Sequence, residues 1–273
     1  MASPTSTLAT VTDLDPRWIA APGSFNFRDL GGLDLIGGGH TAWRNLFRSD
    51  LLRHPGAGFD AESAGVLELL GVSTVIDLRT HTERRNDGLV GASPVLETRH
   101  VPVFEEVWRW EEEIVEPISF LTARNIEALS NPERPLATVL RCVAEAPGRV
   151  MFHCTAGKDR TGLVAVVLCA LSGVTDDAIV EDYCRSSAAM VSLIEHHITS
   201  GSITPELAEM MRSWSRCAAP SEVPAGVLSW MEDRHGSVEG YADWLGVTDD
   251  TVARIRRRLR GDELPARPVV AVA

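Results

Sequence analysis

Between residues 46 and 152 the chain alternates short, apolar, β-branched runs with longer stretches of helical periodicity. Residues 46–49 (LFRS), 73–78 (STVIDL), 99–103 (RHVPV) and 149–152 (RVMF) predict strands. Residues 59–70 (FDAESAGVLELL) predict a helix capped by Asp60 and ended by Gly71. Two more helices are expected between Pro117 and Ala146. Strands separated by helices imply an α/β fold whose central sheet is mostly parallel and covered on both faces. After Arg160 the pattern becomes almost wholly helical. Residues 161–172 are apolar nearly all round, which predicts a buried central helix. Further helices are expected at 176–198, 205–217, 222–234, 237–245 and 249–260, and those within 185–235 are candidates for a lid.

With 273 residues, 44% of them hydrophobic, the chain can bury a substantial core. A single domain over 17–261 is expected, with loosely held ends at 1–16 and 262–273. The formal net charge of -12 disfavours nucleic acid and anionic lipid as partners, so an anionic ligand needs a local positive pocket. The basic run RIRRRLR (254–260) is expected to be the solvated face of a helix. The opening residues lack a charged segment followed by an apolar one, and no apolar run is long enough to span a bilayer. Five cysteines without a C-x-x-C pair argue against zinc and against a disulfide framework, and a cytoplasmic location is expected.

The candidate chemistry is concentrated in HCTAGKDRTG (153–162), directly after the RVMF strand. A loop leaving the carboxyl edge of a parallel sheet and entering a helix is where ligands of such sheets bind. Five residues separate Cys154 from Arg160, few enough to curl round one tetrahedral anion. The N–H groups of Thr155, Ala156, Gly157 and Lys158 would join the open donors of the helix N-terminus. A helix N-terminus with cations beside it lowers a thiol pKa from about 8.5 to roughly 3.5–7.5, which turns a cysteine there into a standing nucleophile. Arg160 offers a planar fork for two phosphate oxygens, and Thr161 a hydroxyl for the sulfur. A nucleotide-binding Walker loop is excluded, since Phe152 stands where its first glycine is needed and Asp159 follows Lys158.

These residues resemble the cysteine-based protein tyrosine phosphatase superfamily, whose signature H-C-x(5)-R-[ST] is met by His153, Cys154, Arg160 and Thr161. The fuller HCTAGKDRTG is similar to a bacterial branch that includes mycobacterial phosphatases and their actinobacterial relatives. FNFRDLGG (25–32), LFRSDLL (46–52), VIDLRTHTE (75–83) and EDYCRSS (181–187) extend the resemblance over most of residues 20–260. It implies phosphomonoester hydrolysis through a phosphocysteine on Cys154, with no metal or cofactor. Substrates implied are phosphotyrosine, in some members other phosphorylated residues, phosphoinositides or small metabolites. A phosphatase for a sugar or nucleoside phosphate is the rival expectation, and an inactive phosphate-binding module a third.

No Trp-Pro-Asp tripeptide supplies the general acid. Asp159 leads the candidates because it lies inside the loop, followed by Asp77, Glu105 and Glu106. Lys158 is expected to add positive potential to the loop, and His153 to act as scaffold. Arg28, Asp29, Arg48, Ser49, Arg79 and Glu83 are expected to hold the sheet edge by ion pairs and hydrogen bonds. Cys142 and Cys169 are expected in the core, and His196 and His197 on the surface. The stretch FEEVWRWEEEIVEP (104–117) reads either as an acidic amphipathic helix or as a pocket wall bearing Trp108 and Trp110.

Overall fold

The apolar runs predicted as strands assemble into one five-stranded sheet, and its order explains where the HCTAGKDRTG loop ends up. The computed structural model describes residues 15–52, 61–88, 96–104, 116–201, 203–212 and 218–261. Its strands are β1 (Arg28–Asp29), β2 (Leu46–Ser49), β3 (Val72–Asp77), β4 (Glu97–His100) and β5 (Arg149–His153), in the order β1-β2-β5-β3-β4. All neighbours run parallel except β1, which is antiparallel to β2. The strand that launches the loop is therefore the central one. Its register sets Ser49 and Asp77 on either side of His153, so three strands deliver their carboxyl ends to one place.

Alternation along the strands splits the core into two layers, as the pleat dictates. Leu46, Ile76, Val150 and Phe152 face the larger layer, which contains the central helix. Phe47, Val75 and Met151 face the smaller one, with Phe27, Leu52 and Leu67. The helices are α1 (Ala61–Leu69), α2 (His81–Asp87), α3 (Pro117–Leu129), α4 (Pro135–Glu145), α5 (Asp159–Leu171), α6 (Asp176–Cys184), α7 (Ser186–Thr199) and α8 (Pro205–Met211). Three more follow: α9 (Glu222–His235), α10 (Val238–Leu245) and α11 (Asp249–Arg260). α5 is buried along nearly its whole length, including Cys169, as its apolar sequence required.

Several expectations need correction. β1 was not anticipated, because two residues are too few for a periodicity. β4 lies two residues earlier than expected, since pairing with β3 sets its register. Val101 and Val103 instead follow the strand, bonding back to Asp77 and Leu78. α2 was also missed, although Thr80 and Glu83 form a capping box, each side chain bonding the other's backbone N–H. The single helix expected over 176–198 breaks at Arg185, which closes α6 and opens α7. Asp15, in a stretch expected to be loose, is held by Arg17 and Arg185. The Asp60 cap and Cys217 lie outside the described residues.

The basic run on α11 is the largest correction. Only part of it is solvated: Arg254 and Arg257 are exposed, whereas Arg258 is buried. Arg258 donates to the carbonyls of Ala146 and Gly148, just past the end of α4. Arg256 donates to Leu171 O at 2.6 Å and Arg260 to Ser172 O at 2.9 Å, at the end of α5. Helix C-termini leave carbonyls unpaired and carry partial negative charge, so arginines satisfy both needs at once. Burial pulls the Arg258 pKa down to about 10, still well above neutrality.

An ionic knot ties the first strands to the helical half. Buried Asp182 on α6 accepts Arg28 Nε at 2.9 Å and Arg48 Nη1 at 2.6 Å. Ser186 Oγ at the start of α7 accepts from Arg28 Nη2 at 3.2 Å. Removing one member of such a buried set leaves charge without a counterion. Asp182→Ala is expected to lower unfolding free energy by roughly 3–5 kcal/mol, read from the urea midpoint.

Candidate active site

The loop between β5 and α5 owes its shape to donors that pull three successive carbonyls away from its centre. Thr155 O accepts Leu51 N–H at 3.0 Å, Ala156 O accepts Asn26 Nδ2 at 3.0 Å, and Gly157 O accepts Arg48 Nη2 at 2.8 Å. With its carbonyl edge turned out, the loop turns its amide edge in. The Gly157 N–H donates to Cys154 Sγ at 3.2 Å. Gly157 stands at φ +68°, and a Cβ there would lie 2.7–2.8 Å from the backbone of Ser49 and Asp50. Glycine is therefore required twice over, by the dihedral and by the close approach of β2.

Those donors are themselves fixed. Buried Asp50 accepts the N–H groups of Phe25 (2.9 Å) and Asn26 (3.0 Å) and the hydroxyl of Ser24. Burial raises the Asp50 pKa, opposed by these hydrogen bonds. Arg48 is held in turn by Asp182. The motifs FNFRDL and LFRSDL thus keep the loop open, in line with the structural role expected for Arg48 and its neighbours.

α5 begins at Asp159 with no side-chain cap on its first turn, so its N-terminal donors face the loop. Cys154 is buried at the base of the loop. Arg160 lies in the first turn and reaches Glu83 on α2, Nη1 to Oε2 at 2.5 Å and Nη2 to Oε1 at 2.7 Å. Glu83 also accepts the Thr155 hydroxyl at 2.6 Å and the Thr80 N–H at 2.8 Å. Burial disfavours the Arg160 charge, but the neighbouring Cys154 sulfur and the Glu83 carboxylate outweigh it, and its pKa lies above the ordinary value. For Glu83, burial is likewise outweighed, chiefly by Arg160, and its pKa is held down to about 2.

Glu83 thus belongs to the site rather than only to the sheet edge. The capping-box spacing of Thr80 and Glu83 could have revealed α2. Nothing in the sequence disclosed that one carboxylate caps α2 and grips Arg160 together.

The remaining candidates separate clearly. Asp77 is engaged by Arg79 through Nε at 2.9 Å and Nη2 at 2.8 Å, with Arg84 at 3.3 Å. Burial works against its charge, yet Arg79 and His153 hold its pKa below the ordinary value, which makes it a poor proton donor. Asp159 is different: its Oδ1 is buried and makes no hydrogen bond, with Lys158 Nζ 3.5 Å away. Lys158 is buried and donates to Ala218 O at 3.2 Å, so its amine is turned toward the chain following α8. Thr161 Oγ1 is buried and makes no hydrogen bond, so the expected bond to sulfur is not formed here. His153 Nδ1 donates to Cys154 O at 3.0 Å, and burial lowers its pKa. His196 is half-buried, with its ring 5.0 Å from that of Phe25, rather than simply at the surface. Glu105, Glu106, Trp108 and Trp110 lie outside the described residues.

Among the described residues no three His, Cys, Asp or Glu side chains gather as a metal site, and no helix is long and apolar enough to cross a membrane.

Comparison with known proteins places this geometry in context. Residues 19–261 match a family model described as "Tyrosine phosphatase family". A tyrosine-protein phosphatase of Nostoc commune is 30% identical over 122 residues, 44% of this chain and 42% of that one. The triple specificity protein phosphatase PtpB of Mycobacterium tuberculosis is 27% identical over 282 residues, 88% of this chain and 98% of its own. The chain therefore spans less than half the length of the first relative and nearly all of the second. The crystal structure of P. aeruginosa TpbA is 19% identical with a TM-score of 0.33, covering 61% of this chain and 85% of that one.

The Glu83 grip has a measurable pH signature. Its folded-state pKa of about 2 lies below the ordinary 4.5, so its stabilisation is present above pH 4.5 and is lost as pH falls toward 2. Urea midpoints measured across this window should fall more steeply in the parent than in Glu83→Gln.

Proposed function

The chain belongs to the tyrosine phosphatase family, and on that premise we propose that it hydrolyses phosphomonoesters, phosphotyrosine foremost, through a covalent phosphocysteine on Cys154. The observation that carries the reading is the outward hold on the carbonyls of Thr155, Ala156 and Gly157, with Gly157 N–H aimed at the Cys154 sulfur. Such a ring of amides at a helix N-terminus suits a tetrahedral dianion directly in front of a nucleophile.

In the first step Cys154 Sγ donates an electron pair to phosphorus, and the bond from phosphorus to the leaving oxygen breaks. Asp159 gives its proton to that oxygen. In the second step a water attacks phosphorus, passes a proton to Asp159, and the S–P electron pair returns to sulfur. The amides of Thr155, Ala156, Gly157 and Lys158 hold the phosphoryl oxygens. Glu83 takes one N–H from each Nη of Arg160, which leaves Nε and the second Nη2 proton as an edge for two oxygens. Phosphoryl transfer relies mainly on such positioning and charge stabilisation. Asp159 is favoured as the acid because its Oδ1 accepts no hydrogen bond and faces a single cation, Lys158 Nζ at 3.5 Å, whereas Asp77 is gripped by Arg79 through two hydrogen bonds.

A phosphorylated protein is the proposed substrate. The name of the mycobacterial relative, which aligns over most of both chains, supports protein phosphatase activity of broad specificity.

Cys154→Ser should abolish turnover of p-nitrophenyl phosphate and of a phosphotyrosine peptide while retaining binding of the peptide. Retained turnover would sink the proposal, and selective capture of small phosphate esters would redirect the substrate class. Asp159→Asn should slow phenyl phosphate by about 10²-fold or more and p-nitrophenyl phosphate far less, since a good leaving group needs no proton. Equal losses on both esters would remove Asp159 as the acid.

A further inference from the structure

The far end of α5 from the loop opens on a cavity of about 620 Å³ between α6, α9 and α10. Thirteen helical residues, about 20 Å of rise, separate it from Cys154, so it is a separate site rather than an extension of the first. Val174, Val180, Leu228, Met231 and Val238 line its interior. Ile36, at the head of a glycine turn, stands at its mouth with 70% of its surface exposed. The turn is pinned there by Ile36 N–H on Gly173 O at 2.8 Å and by the bridge of Leu35 with Val174.

The polar side of the same cavity is acidic: Asp176, Asp177, Glu232, Asp233 and Glu239. Glu239 is paired with Arg256 at 2.5 Å, whereas the other four form no ion pair among the described residues. Asp176 and Asp177 occupy the first turn of α6, where the helix dipole welcomes negative charge. That reason fails for Glu232 and Asp233. Both belong to the final turns of α9, the end that disfavours carboxylates. Asp233 accepts the Ser229 hydroxyl at 3.4 Å, and Arg234 and His235 share the same last turn, yet neither carboxylate forms an ion pair among the described residues, so both stand beside an apolar pocket and an exposed isoleucine.

We infer that this cavity is a docking site for a basic peptide segment of a partner protein, one carrying an apolar anchor side chain between cationic ones. The anchor fills the space over Val180, Leu228 and Met231, and arginine or lysine side chains pair with Glu232, Asp233 and Asp177. The volume falls within the range of small-ligand pockets, roughly 300–1,000 Å³, ample for one or two side chains. The inference stands independently of the chemistry proposed at Cys154.

The test is fluorescence anisotropy with a labelled eight-residue peptide of alternating arginine and leucine. Saturable binding is expected, weakened about tenfold or more in the double variant Glu232→Lys/Asp233→Lys. This variant places cations at a helix C-terminus and should fold at least as well as the parent. Unchanged p-nitrophenyl phosphate turnover checks that it has. The same charge change at Glu97 and Glu145 should leave binding within about twofold. A peptide with serine in place of leucine should bind much more weakly. Saturation unaffected by the double variant, or equal binding of the serine peptide or of spermine, would overturn the inference and indicate general attraction to an acidic surface. Absence of saturable binding up to millimolar peptide would overturn it as well.

Discussion

Everything at the site depends on holding three carbonyls outward against the natural tendency of a loop to satisfy itself. A loop of this length could fold its amides onto its own carbonyls and close. Arg48, Asn26 and the Leu51 N–H prevent that by engaging the carbonyls of Gly157, Ala156 and Thr155 from outside. Asp182 and Asp50 then orient Arg48 and the segment bearing Asn26. The chain of constraint runs from α6 through β2 to the loop, so α6 shapes the loop through Arg48, while Ala218 O, beyond α8, accepts from Lys158 directly.

This arrangement accounts for the unusual number of buried arginines. Arg28, Arg48 and Arg79 are fully buried, and each meets a carboxylate and at least one further acceptor. A guanidinium can satisfy several acceptors in one plane, which suits it to joining strands, helices and loops inside a core. Arg258 does the same for the end of α4 with carbonyls alone. Burial of charge is weak support for stability in itself, but here it fixes the geometry of a loop whose amides must remain open.

The two arginine-carboxylate pairs near the sheet edge behave differently. Arg79 grips Asp77 through two hydrogen bonds beneath the edge and also donates to Gly88 O, so this pair contributes architecture. Arg160 and Glu83 leave one edge of the guanidinium uncommitted, and they link α2, the loop and α5. The acidic cavity at the opposite end of α5 shows that the strongly negative composition is not spread evenly. Part of it gathers where an apolar floor gives it a use.

The succession of most strands and helices along the chain, though not β1, α2 or the break at Arg185, was legible from residue pattern, because period-two and all-round apolar runs are local properties. The candidate loop was legible too, since Cys154, Gly157 and Arg160 must lie close in sequence to surround one small anion. What sequence could not reveal were partnerships between residues distant along the chain. Even the pairing of Asp77 with Arg79, two residues on, was hidden, because it depends on how the chain turns at the end of β3. RIRRRLR resembled a solvated helix face until Arg258 was found beneath the end of α4. Glu83 carried a capping signal but no sign of Arg160, which is 77 residues away. Sequence by itself determined the local chemistry and the fold class. Only the tertiary structure decided which charges are committed and which are free, because a charge is committed by whatever the folded chain places opposite it.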